Sequence, residues 1–316
     1  MDGMIKLKES RRMMKSRLIV SKLFMLTLFI VVQGMLHGQE ESQEPPINMR
    51  FVASNIYMFE GRGGNIGISV GPDGVFLIDD QIAPVTDTLL ANIRRVSQLP
   101  VKFVLNTHWH GDHTGGNERM GSMGAVIVAH ENVRKRMSAP QFIEFFQNRT
   151  DPAPREALPV ITFTRDMIFH LNGDEIYVRH FDNAHTDGDA VVYFQRANVL
   201  HTGDIFFSGR YPFIDLSSGG SIQGIIDAIN SIFGMINQYT KIIPGHGPLS
   251  TPDELSTYRS MLVTVSTRVK KLIEEGKTRE EVLAARPSRE FDLDWGNGTI
   301  KPDDFVGFIY DDLTRK

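Results

Sequence analysis

The residues from 101 to 113 read VKFVLNTHWHGDH. VKFVLNT is a mostly apolar strand that runs straight into a polar loop, His108-Trp109-His110-Gly111-Asp112-His113. Three imidazoles and a carboxylate within six residues, on a turn after a buried strand, are poorly explained by packing. If the strand geometry persists, residues 108 and 110 point the same way and reach one ion. Asp112 and His113, past Gly111, can face a second ion beside it. Imidazole and carboxylate suit zinc, with Zn–N bonds of about 2.0–2.1 Å.

Three later segments repeat the design, each a short turn with a candidate ligand beside glycine: Asn183-Ala-His185-Thr-Asp-Gly188, His201-Thr-Gly203-Asp204 and Pro244-Gly245-His246-Gly247. Singly, each reads as polar residues satisfied in a turn. Together with the first cluster they supply five His and two Asp, enough for two ions with an open position. His37, His130, His170, His180 and His201 remain for surface or packing roles, with His201 the strongest further candidate for the site.

Around these turns strands and helices alternate. FVASNIYMF reads as a strand, NIGISV and VFLIDD as two strands about Pro72-Asp73-Gly74, and Val85 to Val96 as a helix. AVIVAH is a buried strand followed by the helix ENVRKRM, and Asn172-Gly173 marks a hairpin. AVVYF, NVLH and KII are further short strands. Thr251-Pro-Asp-Glu254 starts a helix with the apolar stripe Leu255, Tyr258, Leu262, Val265, Val269 and Leu272, and Thr278 starts a shorter one. Met137 to Leu158, polar and proline-containing, reads as a surface excursion.

The chain has 316 residues and no cysteine, which excludes disulfides, Cys-ligated zinc, iron–sulfur clusters and a thiol nucleophile. Residues 1–38 read as a secretory signal: a basic start, the apolar run Leu23 to Val32, and a small residue, Gly38, before a polar segment. That run is about half of the ~20 residues needed to span a bilayer, so stable membrane insertion requires retention of the segment as an anchor. Export to the periplasm or medium is the expectation. Removing the seven basic and two acidic groups of residues 1–38 leaves 27 basic against 36 acidic side chains, a net charge of −9. So acidic a surface is a poor nucleic-acid binder and points to a small-molecule substrate. The remaining divisions are a linker at 39–50, a domain over 51–276, and a helical extension at 277–316 packed on that domain.

VFLIDD, THWHGDH, AHTDGD, HTGD and PGHG, in this order, resemble the metallo-β-lactamase fold superfamily from about Phe51 to Glu275. The resemblance implies an α/β (α+β) fold, a four-layer αββα sandwich with ligands on loops along one sheet edge. It implies His108, His110 and His185 on a first zinc, Asp112, His113 and His246 on a second, Asp204 bridging both, and Asp79 as the strand-end acid that organises the site. Such a site implies that the two ions share a water whose pKa falls to about 7, oriented by Asp112 for attack on a carbonyl.

The departures are informative. Di-zinc β-lactamases of this family carry Cys where Asp204 stands and no ligand at His113. The His/Asp set here is instead similar to that of glyoxalase II-like thioesterases and lactonases. A carboxylate at 204 makes the second position harder and more open to Mn or Fe. Those lactamases hold the substrate carboxylate with a Lys at what is here Phe207; nearby Arg210 can do the same work. Relatives that use iron, such as persulfide dioxygenases, leave some of these ligands unused, and the di-iron ones have Glu at His110. The tail after Gly276 is acidic on balance and aromatic, unlike the basic glutathione-binding tail of glyoxalase II, so glutathione thioesters are not the expected substrate. The expectation is an exported binuclear zinc hydrolase of a β-lactam, lactone or thioester. Thioesterase or lactonase activity without β-lactam turnover, or an iron-dependent persulfide dioxygenase-like reaction, is the alternative. Loops near Gly61–Gly64 and Ser208–Gly220 are expected to set substrate choice.

Overall fold

Strand β4 (Gly74–Ile78) and strand β5 (Val101–Asn106) pair in parallel at the centre of a seven-stranded sheet. This computed structural model describes residues 48–315, all within one compact unit, Ile47–Lys316. Residues 1–38 and most of the 39–50 segment lie outside the described residues. Among those described, no helix is long and apolar enough to cross a membrane.

The large sheet runs β1 (Asn48–Ala53), β2 (Ile56–Glu60), β3 (Ile66–Gly71), β4, β5, β6 (Val126–His130) and β9 (Ile161–Phe163). The second runs β10 (Asp166–Leu171), β11 (Asp174–His180), β12 (Ala190–Phe194), β13 (Val199–His201) and β14 (Lys241–Ile243). Period-two alternation decides the layers. Phe76, Ile78, Leu105 and Val128 point between the sheets and meet Ile176, Val178, Val192, Phe194 and Ile243. Val75, Leu77, Val104 and Ile127 point the other way, onto Leu89, Leu90 and Ile93 of helix α1 (Thr86–Ile93). Both faces of the sheet are therefore buried, and its strands read as unbroken apolar runs.

The outer face of the second sheet is covered by α5 (Ile222–Phe233), α6 (Pro252–Glu274), α7 (Arg279–Ala285) and α9 (Pro302–Thr314). The four layers are the expected αββα sandwich. Short helices α2 (Gly111–Thr114), α3 (Asn117–Ser122) and α4 (Glu131–Met137) follow β5 and β6, and α8 (Asp292–Trp295) precedes α9. Thr251 and Thr278 cap α6 and α7 through reciprocal bonds with Glu254 and Glu281. Asn172 and Gly173, both with positive φ, turn the β10–β11 hairpin.

Three elements depart from the pattern reading. FVASNIYMF is two strands rather than one, broken at Ser54 with φ 49°. By pattern alone 222–233 receives no element, although Ile222, Ile225, Ile226, Ile229 and Ile232 recur at helical spacing and are buried. The excursion Met137–Leu158 contains a hairpin, β7 (Gln141–Ile143) with β8 (Asn148–Thr150).

His130 illustrates a packing role with a pH signature. Its Nδ1 accepts the Asn132 N–H that starts α4 (3.3 Å), its Nε2–H donates to Thr164 O, and its ring stacks on His180 at 3.6 Å. Burial, then the neighbouring His180, lowers its pKa below the usual imidazole value, against the opposing pull of Glu131 and Asp182. A lowered native pKa means that the unfolded chain binds more protons, so stability is lost as pH falls below about 6.5. His130→Asn keeps a capping acceptor without the titration. Its urea midpoint, followed from pH 7 to 5 in chelator, should fall less than that of the parent chain.

Candidate metal centre

Every ligand-bearing turn leaves its sheet at the same edge. β4 ends into Asp79, β5 into His108–His113, β13 into Asp204 and β14 into His246, while His185 precedes β12, which runs antiparallel to β13. Ligands at the carboxyl ends of parallel strands follow from this layout.

Asp79 organises the edge from a left-handed position, φ 63°. Its buried carboxylate accepts Thr107 N–H (2.7 Å), the Thr107 hydroxyl (2.8 Å) and His113 Nδ1–H (2.8 Å). The Thr107 hydroxyl, having given its proton to Asp79, accepts from His108 Nδ1–H at 3.1 Å. His185 Nδ1–H donates to Phe213 O and His110 Nε2–H donates to Asp215, each at 2.9 Å. These partners fix which nitrogen faces the site, and the free nitrogens of His108, His110 and His185 carry lone pairs.

His110 Nδ1 lies 3.1 Å from His108 Nε2 and 3.0 Å from His185 Nε2. Three lone pairs converging at this distance repel one another unless they share a cation. A tetrahedral ion with bonds of about 2.0–2.1 Å puts its nitrogens about 3.3–3.4 Å apart, close to what is seen. Burial, with His113 nearby, holds His108 well below the usual imidazole pKa, and burial lowers His185 to about 4. Both favour the neutral ligand form.

Asp112, His113 and His246 form the neighbouring group, with Asp112 Oδ2 3.3 Å from His246 Nε2 and 3.6 Å from His113 Nε2. Asp204 stands between the groups: Oδ1 is 3.1 Å from His113 Nε2, and Oδ2 is 3.3 Å from His246 Nε2 and 3.5 Å from His185 Nε2. Asp204 Oδ1 is buried with no hydrogen-bond donor aligned on it, an orphan that a cation would satisfy. Burial works against charge here, yet Asp204 and Asp112 raise His113 well above the imidazole value and His246 to about 9. Protons thus offset the carboxylates without metal, and a dication binding here releases them.

All seven residues expected as ligands therefore meet at one edge and suit transition-metal binding. His201 does not join them: it is buried and bonded to Asn65 O and Gly203 N–H. Asp187, another acid in the His185 turn, is engaged by Arg136 at 2.7 Å. Asp215 escaped the sequence reading; it lies 105 residues from His110, and only its place in a loop beside glycines hinted at the site. Gly245 is required by close approach, since a Cβ there would stand 2.0 Å from Asp204 Oδ1.

A cavity of about 420 Å³ opens on the cluster, lined by His110, Asp112, Asp204 and His246 on its floor. Loop 208–220 contributes Arg210, Tyr211 and Phe213, as expected. Loop 61–64 does not line it. Gly64 packs on His113, where a Cβ would lie 2.1 Å from the ring, and Gly63 packs on Asp112. The other wall comes from Ile143, Phe146 and Asn148 of the hairpin segment and Thr299 and Ile300 of the C-terminal segment. Arg210 rests its stem on Gly298, and no carboxylate pairs with it among the described residues. Tyr211 ties the loop to the C-terminal segment through Trp295 O and Asp292.

A family model described as metallo-beta-lactamase superfamily matches residues 49–259. The metallo-beta-lactamase IND-1 of Chryseobacterium indologenes is 24% identical over 64% of this chain and 81% of its own. The atrochrysone carboxyl ACP thioesterase of Aspergillus chevalieri is 23% identical over 86% of this chain and 77% of its own. A stretch 34% identical to the lactamase-like protein vrtG of Penicillium aethiopicum spans only 26% of this chain and 29% of that protein. Among solved structures, DIM-1 metallo-beta-lactamase superposes with TM-score 0.57 at 18% identity, over 70% of this chain and 99% of its own.

Proposed function

Because this chain belongs to the metallo-beta-lactamase superfamily, we propose that it is a binuclear zinc hydrolase of an activated carbonyl: a β-lactam, lactone or thioester. The observation that carries the reading is the convergence of three imidazole lone pairs beside a second His/Asp group, with Asp204 between them. His108, His110 and His185 would hold one ion, Asp112, His113 and His246 the other, and Asp204 both. Bound there, such ions would supply a water of lowered pKa, about 7, and a Lewis acid for the substrate carbonyl. Asp112, on the cavity floor, orients the attacking water, and Arg210 receives an anionic group of the substrate. The carboxylate at 204 leaves the second position open to Fe or Mn.

Within this class, thioester or lactone hydrolysis without substantial β-lactam turnover is favoured by Asp204 in place of a thiolate. The likeness to the ACP thioesterase, which extends over most of the chain, leans the same way. An iron-dependent oxidoreductase is the weaker reading, because none of the seven candidate ligands lies outside the cluster. A panel of nitrocefin, a lactone and a thioester, run on zinc-loaded protein with metal analysis, tests this. Hydrolysis of one of them with about two zinc ions per chain is expected; inertness towards all three, or redox turnover with iron alone, would overturn it. We also propose export through residues 1–38. An intact mass that begins near Gln39 would bear this out, whereas retention of Leu23 to Val32 would mark an anchor.

A further inference from the structure

We infer that the hairpin β7–β8 and the segment around Ile300 make the cavity a receptor for a bulky apolar group, an aromatic ring above all, and that Phe146 selects for it. This rests on the hydrolase reading of the same site. Phe142, Phe145 and Phe146 are 44%, 39% and 46% exposed, three large apolar side chains within five residues. One of them, Phe146, reaches the cavity lip, and Phe145 backs it. Phe146 lines the cavity and lies 5.0 Å from Phe213, and Phe145 packs edge-on against Phe146 and Phe308 at 4.8 Å each. Phe213 in turn lies 5.9 Å from the His110 ring and 5.7 Å from His185. A ledge of aromatic rings thus leads from the cluster to the hairpin, backed by the buried Ile143 and Ile300.

The charges of the cavity agree. Apart from the imidazoles, its charged lining is Asp112 and Asp204 on the floor and Arg210 on the rim. The hairpin residues that line the cavity, Ile143, Phe146 and Asn148, are uncharged, so a cationic substituent would meet no counter-charge among them, and an apolar one completes the burial of Phe146. Offset or edge-on packing against Phe146 and Phe213 gives a flat ring more than its area alone. Burial of a phenyl group is worth on the order of tenfold in affinity or more.

Zinc-loaded full-length chain, titrated calorimetrically with phenylacetate and with acetate, tests the inference without turnover. The metal and Arg210 see the same carboxylate in both, so the ratio of dissociation constants reports the ring. A preference of tenfold or more for phenylacetate is expected. Phe146→Ala should reduce it to about two-fold, and Phe146→Trp should retain it; the half-exposed position makes both variants foldable. Equal binding of the two acids by the parent chain, or an unchanged ratio in Phe146→Ala, overturns the inference. In parallel, thiol release from S-phenylacetyl and S-acetyl N-acetylcysteamine gives the kcat/KM ratio, read cleanly because the chain has no cysteine. Preferential binding of phenylacetate by a protein that hydrolyses no thioester, lactone or β-lactam would keep the apolar receptor and sink the hydrolase reading.

Discussion

Asp204→Ala should lower bound zinc from about two ions per chain towards one, the count of a single three-His site. Its carboxylate is the group within 3.1–3.5 Å of His113, His246 and His185 together, whereas the three-His group closes on its own nitrogens. Activity should fall by more than the roughly 10–100-fold typical of losing a partner that merely supports a ligand. Asp204→Cys restores a ligand and should recover tight zinc binding, with a softer second position. Gly245→Ala should also lower metal binding, because its methyl would collide with Asp204 Oδ1 and with the Gly203 backbone beside it. Two tightly held ions and full activity in Asp204→Ala would show that the carboxylate bridges nothing.

Asp79→Asn should weaken metal binding by about 10–100-fold although residue 79 touches no ion. The buried carboxylate accepts three hydrogen bonds, and an amide of the same shape presents two of its own hydrogens to those donors. One donor at least is left unpaired, at a cost of about 1–3 kcal/mol in the metal-free protein. His113 then loses the partner that fixes its tautomer, and Thr107 loses the acceptor that leaves its oxygen free for His108. Equilibrium zinc competition and urea unfolding in chelator separate the two effects. Unchanged zinc affinity with lowered stability would assign Asp79 to folding alone.

Much of this was legible in one dimension because the turns that carry ligands are local. The HWHGDH run, and the glycines beside His185, Asp204 and His246, mark side chains projected from tight turns, and the strands before them are recognisable as apolar runs. The helix caps at Thr251 and Thr278 are likewise local and needed no tertiary information. FVASNIYMF misled because its break at Ser54 carries no glycine or proline. The hairpin at 141–150 was hidden by its polar surroundings, and its phenylalanines acquire meaning only beside Phe213 and Phe308.

The sequence by itself determined the order of strands and helices, through apolar runs and an apolar stripe on α6, and it determined which residue types could hold metal, while the four layers followed from the family resemblance. Tertiary structure decided which nitrogen of His108, His110, His113 and His185 faces the site. That choice rests on Asp79, Asp215 and Phe213 O, and the partners of His110 and His185 lie 105 and 28 residues away. It also decided the substrate wall, taking it from the hairpin and the C-terminal segment and leaving loop 61–64 packed against His113 and Asp112. The reason is common to both: ligands are set by local turns, whereas the partners that orient them and the surfaces that face them are set by which distant segments the two sheets bring to one edge.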